Sequence, residues 1–168
     1  RLETRARRFE SRARGTSAVA GLAACVRKFD QAGSVKPGVV VEYGCMMRGD
    51  EVWVRRTARA ATWFTRLRGL LGCRALGPDA ALLIERCRAV HTVGMRFAID
   101  LVFLDRAWLV TRVVQNVPPG RLMVGGGWHA VRVLESEAGC LDVAALRIGE
   151  TLTWRPDTAA PGMRGSVV

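Results

Sequence analysis

The stretch His91–Asp105, HTVGMRFAIDLVFLD, decides the fold, because a polar lead-in containing Gly94 runs directly into the densest apolar segment of the chain. Alternation assigns Ile99, Leu101 and Phe103 to one face of a strand and Asp100, Val102 and Leu104 to the other. The strand therefore reads as the centre of a sheet. Asp100 is the anomaly in it: an unpaired charge in a core costs several kcal/mol and acquires a partner or a proton. It is either a structural acceptor, for a nearby turn or for Arg96 or Arg112, or part of a site. Gly94 permits backbone conformations that other residues resist, so His91–Met95 reads as a turn or bulge at one edge.

Working outward, Leu109–Val114 returns as the partner of the central strand, and Asn116-Val117-Pro118-Pro119-Gly120 ends the ladder because proline donates no hydrogen bond to a sheet. Upstream, Glu51–Arg55 alternates as a half-buried strand, and Ala81–Glu85 is a short core strand. Between them Trp63, Phe64, Leu67, Leu70 and Leu71 recur at helical spacing, with Thr57 or Thr62 as cap and Gly72 just past the end. Downstream, Ala130–Leu134 is a strand with Glu135 at its exit, Leu141–Leu146 a helical turn, and Glu150–Trp154 a closing strand. Gly125-Gly126-Gly127 is a loop, lacking the lysine and serine that a phosphate-binding P-loop requires. Six or seven short, irregularly spaced strands with one helix predict a mainly β domain, α+β at the margin: a compact β-sandwich or partly open barrel with one amphipathic helix packed on it, not a βαβ sheet.

A chain of 168 residues and 18.4 kDa has room for one such domain, assigned to residues 47–155. Residues 1–46 read as a basic extension outside the fold and 156–168 as a disordered tail. Patterning improves after Met47, which favours translation from Met46 or Met47 and a cytoplasmic product. The alternative is secretion or lipid anchoring, with arginines ahead of the apolar run Thr16–Ala24 and Leu22-Ala23-Ala24-Cys25 resembling a lipobox. No apolar run approaches the roughly 18 residues that a transmembrane helix needs. Five cysteines form no CxxC pair and no zinc pattern with the two histidines, so reduced thiols, no metal and no cofactor are expected.

The net charge of +11 first suggests an anionic partner. Residues 1–46 carry nine basic and four acidic residues, and residues 47–168 carry seventeen arginines and eleven acids. Along the sequence those arginines are scattered, without the exposed aromatics that a nucleic-acid stacking surface needs. Nucleic acid is therefore a possible partner but not the favoured one.

Thr62–Gly72 (TWFTRLRGLLG), Cys87, the block His91–Asp105, Asn116 before the prolines, Val133-Leu134-Glu135 with Ala138-Gly139, and Leu146–Glu150 together resemble the family catalogued as domain of unknown function 192, over residues 50–154. The resemblance implies a compact bacterial or archaeal β domain, sometimes behind a secretion signal, and no activity to carry over. Members usually turn through an Asp-Gly-like pair after the central strand. Here Asp105-Arg106-Ala107-Trp108 predicts a longer or distorted hairpin. Many members carry tryptophan at the position of His91, which argues against a catalytic role for it.

Three functions compete. The favoured one is a binding or interaction module for a small ligand or protein, with Asp100, Asn116, Glu135, His91, Thr92 and Met95 as candidate binding residues. The second is a hydrolase-like enzyme using Cys87 as nucleophile with His91 as base, or the carboxylates of Asp100 and Glu135 as a pair. The third is nucleic-acid binding through an arginine-rich surface. For each residue the structural alternative is a core cysteine, turn-forming His91 and Thr92, a core Met95, and carboxylates that serve as backbone acceptors.

Overall fold

The computed structural model describes residues 41–60, 70 and 73–157. The helix expected over Thr62–Gly72 lies, apart from Leu70, outside the described residues, as does the tail beyond Asp157. Among the described residues nine strands run in chain order: β1 Val41–Arg48, β2 Glu51–Ala60, β3 Ala80–Glu85, β4 Ala89–Val90, β5 Ile99–Leu104, β6 Val110–Val117, β7 Val124–Gly125, β8 Arg132–Glu137 and β9 Leu152–Pro156. Seven of them form one mixed sheet in the order β6-β5-β8-β3-β2-β1-β9, while β4 and β7 pair separately.

The domain is mainly β, as expected, but the sheet does not close into a barrel. Its two edges meet at one end, through the isolated bridge Leu109–Thr151 and backbone bonds that include Val110 N to Glu150 O, 2.8 Å, and Leu152 N to Trp108 O, 3.0 Å. The sheet is not a βαβ sheet, as expected, yet it holds one parallel pair, β2 with β3. A parallel pair needs a connection of a dozen or more residues, and residues 61–79 supply it. Strand β1 corrects the domain boundary. Val41–Met46, set outside the fold on composition, pairs with β2 from Val41–Ala60 onward, and Gly44–Met46 pairs with β9.

The central strand behaves as alternation requires. Ile99, Leu101 and Phe103 enter one core with Leu82, Ile84 and Val133, and Val102 and Leu104 enter the other with Leu83, Leu134 and Leu152. All six residues of β5 are buried, because the first core is covered by Leu70, Leu76, Val90 and Met95 and the second by the curl of the sheet and Leu141, Val143 and Leu146. The hairpin after β5 is indeed long. Asp105 Oδ1 accepts from the amides of Ala107 and Leu109 at 2.8 and 2.9 Å, and Trp108 takes the left-handed φ of 67° that glycine would otherwise occupy.

Gly126, read from sequence as part of a flexible loop, is a packing residue. A Cβ there would collide with the Phe103 ring and stand 2.7 Å from Ala130 Cβ. Since Phe103 is fully buried and cannot move aside, Gly126→Ala is expected to lower stability by about 1–3 kcal/mol in chemical denaturation, as overpacked cores do. An unchanged midpoint would show that the segment yields.

Candidate functional site

Asp100 faces a break in its own ladder. Ile99 pairs with Val117 and Leu101 with Val114, so Gln115 and Asn116 together oppose Asp100 in a β-bulge, with Asn116 at φ 51°. The amide of Asn116 leaves the ladder and donates to Asp100 Oδ1 at 2.7 Å. Gly139, in the turn after β8, donates to Oδ2 at 2.9 Å. One carboxylate thus ties the bulge of β6 to the turn beyond β8, and among the described residues no arginine pairs with it. Asp100 is 3% exposed and borders a cleft of about 410 Å³ together with Gln115, Asn116, Asp142 and Val143.

Glu135 sits elsewhere. It is not at the exit of its strand but in the middle of β8, between Leu82 of β3 and Leu101 of β5 in register. Asp100 is in register with Ser136, and since successive residues point to opposite faces, Asp100 and Glu135 lie on opposite sides of the sheet. They cannot act as a carboxylate pair. Glu135 is 4% exposed, and burial pushes its carboxyl up to about 8.

The remaining candidates do not converge either. Thr92, fully buried, donates from Oγ1 to Pro118 O at 2.7 Å and accepts from Arg121 N at 2.9 Å. Its own amide donates to Arg121 O and its carbonyl accepts from Gly120 N, so it fastens the proline turn at four points. Met95 is part of the first core and His91 is exposed. The Cys87 thiol donates to Ala89 O at 3.1 Å, a backbone contact that does nothing to activate a nucleophile. Cys45 and Cys140 are free thiols. Cys73 is disulfide-bonded, against the expectation of reduced thiols. Among the described residues no three histidines, cysteines or carboxylates cluster as a metal site.

Sequence reading missed a second cleft, of about 830 Å³, lined by Arg59, Arg86, Arg88, Arg106 and Arg132 together with Glu85. Glu85 bridges two of them, accepting from Arg59 Nε at 3.1 Å and from Arg132 Nε at 2.8 Å. The same two guanidinium groups stack on indoles, Arg132 at 4.1 Å from the Trp108 ring centre and Arg59 at 4.8 Å from that of Trp154. Arg132 also donates to Asp105 O at 2.7 Å. Arg59 Nη1 also pairs with Glu42, at 2.8 Å. Two of the five cations are therefore held in fixed planes, by two carboxylates and two indoles. The arginines come from β2, the β3–β4 connection, the β5–β6 loop and β8, which is why linear spacing shows no cluster. A usable signal did exist: segments 86–99 and 106–134 contain seven arginines and no aspartate or glutamate.

The sequence profile of the DUF192 family, described as an uncharacterized ACR, matches residues 46–154. The chain belongs to DUF192. No curated protein matches it. Two solved structures share its architecture. A protein of unknown function from Novosphingobium aromaticivorans superposes with a TM-score of 0.60 at 18% identity, over 72% of this chain and 91% of that one. A putative transcription regulator from Sinorhizobium meliloti superposes with a TM-score of 0.57 at 18% identity, over 71% and 97%. At that identity the likeness shows the fold alone. No catalytic activity is established for this DUF192 chain, and among its described residues no helix is long and apolar enough to cross a membrane.

Proposed function

We propose that the domain is a binding module, not a hydrolase, and that it takes an anionic ligand in the arginine-lined cleft. The observation that carries this reading is a cleft lined by five arginines, two of them pre-oriented by ion pairs with Glu85 and by indole stacking. Guanidinium forks match phosphate and carboxylate oxygens in pairs, and groups held before binding lose less freedom on binding. The candidate catalytic residues support the same reading by being otherwise used: Asp100 holds backbone, Glu135 lies across the sheet from it, and the Cys87 thiol donates to Ala89 O.

Calorimetric titration of the full chain with pyrophosphate tests it. Binding is expected at low salt, weakening as salt rises, and Arg88→Ser with Arg106→Ser should reduce affinity at least tenfold while the fold is kept, since both side chains are exposed. Pyrophosphate affinity that is absent, or indifferent to those two changes, would overturn the assignment. Nucleic-acid binding is the second reading, favoured by the acid-free arginine segments. It predicts duplex DNA binding with a steep salt slope.

A further inference from the structure

The acid-free segments 86–99 and 106–134 are brought side by side by the fold. Strands β4 and β7 pair Ala89 with Gly125 and Val90 with Val124, Gly126 N donates to Arg88 O at 2.8 Å, and Arg112 Nη1 donates to Gly125 O. Arg88 also lines the arginine cleft, so the β7 segment is bonded through its backbone to one residue of that lining. On this segment three large apolar side chains stand in water: Leu122 is 84%, Met123 77% and Trp128 89% exposed. Single exposed apolar residues are ordinary, but three within seven positions are not. Nor is the backbone that carries them loose. Thr92 grips Arg121 on one side, and the β4–β7 pairing, with Arg88 and Arg112, grips the other.

A fastened loop that presents leucine, methionine and tryptophan outward, bordered by arginines and free of acids, has the chemistry of an interfacial membrane contact. Tryptophan settles at the level of lipid headgroups, aliphatic side chains enter the acyl boundary, and arginines bury their stems while keeping their charge in the headgroup layer. We propose that this face docks on the surface of an anionic bilayer, the arginine cleft receiving lipid phosphates beside the inserted apolar residues. A nucleic acid fits less well. Leu122 and Met123 offer nothing to a phosphodiester backbone, and stacking of successive bases needs more than the one aromatic that this trio provides. The inference rests on the anion-binding reading of the cleft and adds the source of the anion.

Co-sedimentation of the full chain with vesicles of phosphatidylglycerol and phosphatidylcholine, against phosphatidylcholine alone, tests it. Binding is expected to favour the anionic vesicles at least tenfold and to shift tryptophan emission to the blue. The triple substitution Leu122→Ser, Met123→Ser, Trp128→Ser should lose at least tenfold of vesicle binding while keeping pyrophosphate affinity and the circular dichroism spectrum. Failure to bind anionic vesicles at low salt while pyrophosphate still binds overturns the docking inference alone. Failure to bind pyrophosphate overturns the cleft reading instead. Vesicle binding that survives the triple substitution, or oligonucleotide binding that needs the same three residues, also overturns the docking inference.

Discussion

Asp100→Ala is expected to lower the free energy of unfolding by about 2–4 kcal/mol, because the amides of Asn116 and Gly139 both lose their acceptor. An orphaned buried donor costs roughly 1–3 kcal/mol, and relief of the desolvated carboxylate returns only part of the total. Asn116 cannot turn back into the ladder, since the bulge holds it at φ 51°. Asp100→Asn separates the two contacts. It keeps one carbonyl oxygen but sets an amide group against one of the donors, so it should fall between wild type and alanine. Urea denaturation with an unchanged slope reads the difference. A loss below about 0.5 kcal/mol for Asp100→Ala would mean that water entering from the adjacent cleft replaces the carboxylate, and that this acid is free for another role.

The second large effect is a dependence on pH. The Glu135 carboxyl, pushed up to about 8 by burial from an ordinary 4.5, holds its proton in the folded chain where the unfolded chain has released it. Stability contributed by this group is therefore complete below pH 4.5 and declines as pH rises toward 8, by about 1.4 kcal/mol per pH unit, after which it levels off. Glu135→Gln, neutral at every pH, should flatten that slope and leave the variant more stable than wild type above pH 8. Parallel slopes for the two proteins between pH 5 and 8 would show that the carboxyl reaches water.

Where the sequence was legible, it was so because burial and periodicity coincide. Strand β5 announced both its faces, since a six-residue apolar run buried on each side can alternate only one way. The longer hairpin at Asp105–Leu109 followed from the missing glycine, and the turn at Val143–Ala145 from its short apolar spacing. What could not be read depended on pairings made across long separations. Parallel β2 and β3 look no different in sequence from an antiparallel pair, because the residues that decide their neighbours belong to β8, which separates β3 from β5. Asp100 was recognisable as an oddity, and its bulge partner Asn116 was among the candidates. Gly139, its other partner, was not, since only the fold brings that turn beside β5. The arginine cleft was hidden for the same reason, with each cation isolated in its own element and the cluster created by topology.

The place of β8 also governs the order in which this protein can be made. Strand β5 emerges from the ribosome ahead of β8, yet both β3 and β5 take β8 as a neighbour. Until residues 132–137 have been synthesised, each of those apolar strands carries an open edge, and β1 waits still longer for β9. Sheets that depend on such late insertions fold on the slower millisecond-to-second scale and expose strand edges meanwhile. The nascent chain therefore passes through a window in which its most hydrophobic strands are available to other chains, so that a chaperone able to cover strand edges should raise the yield of folded protein.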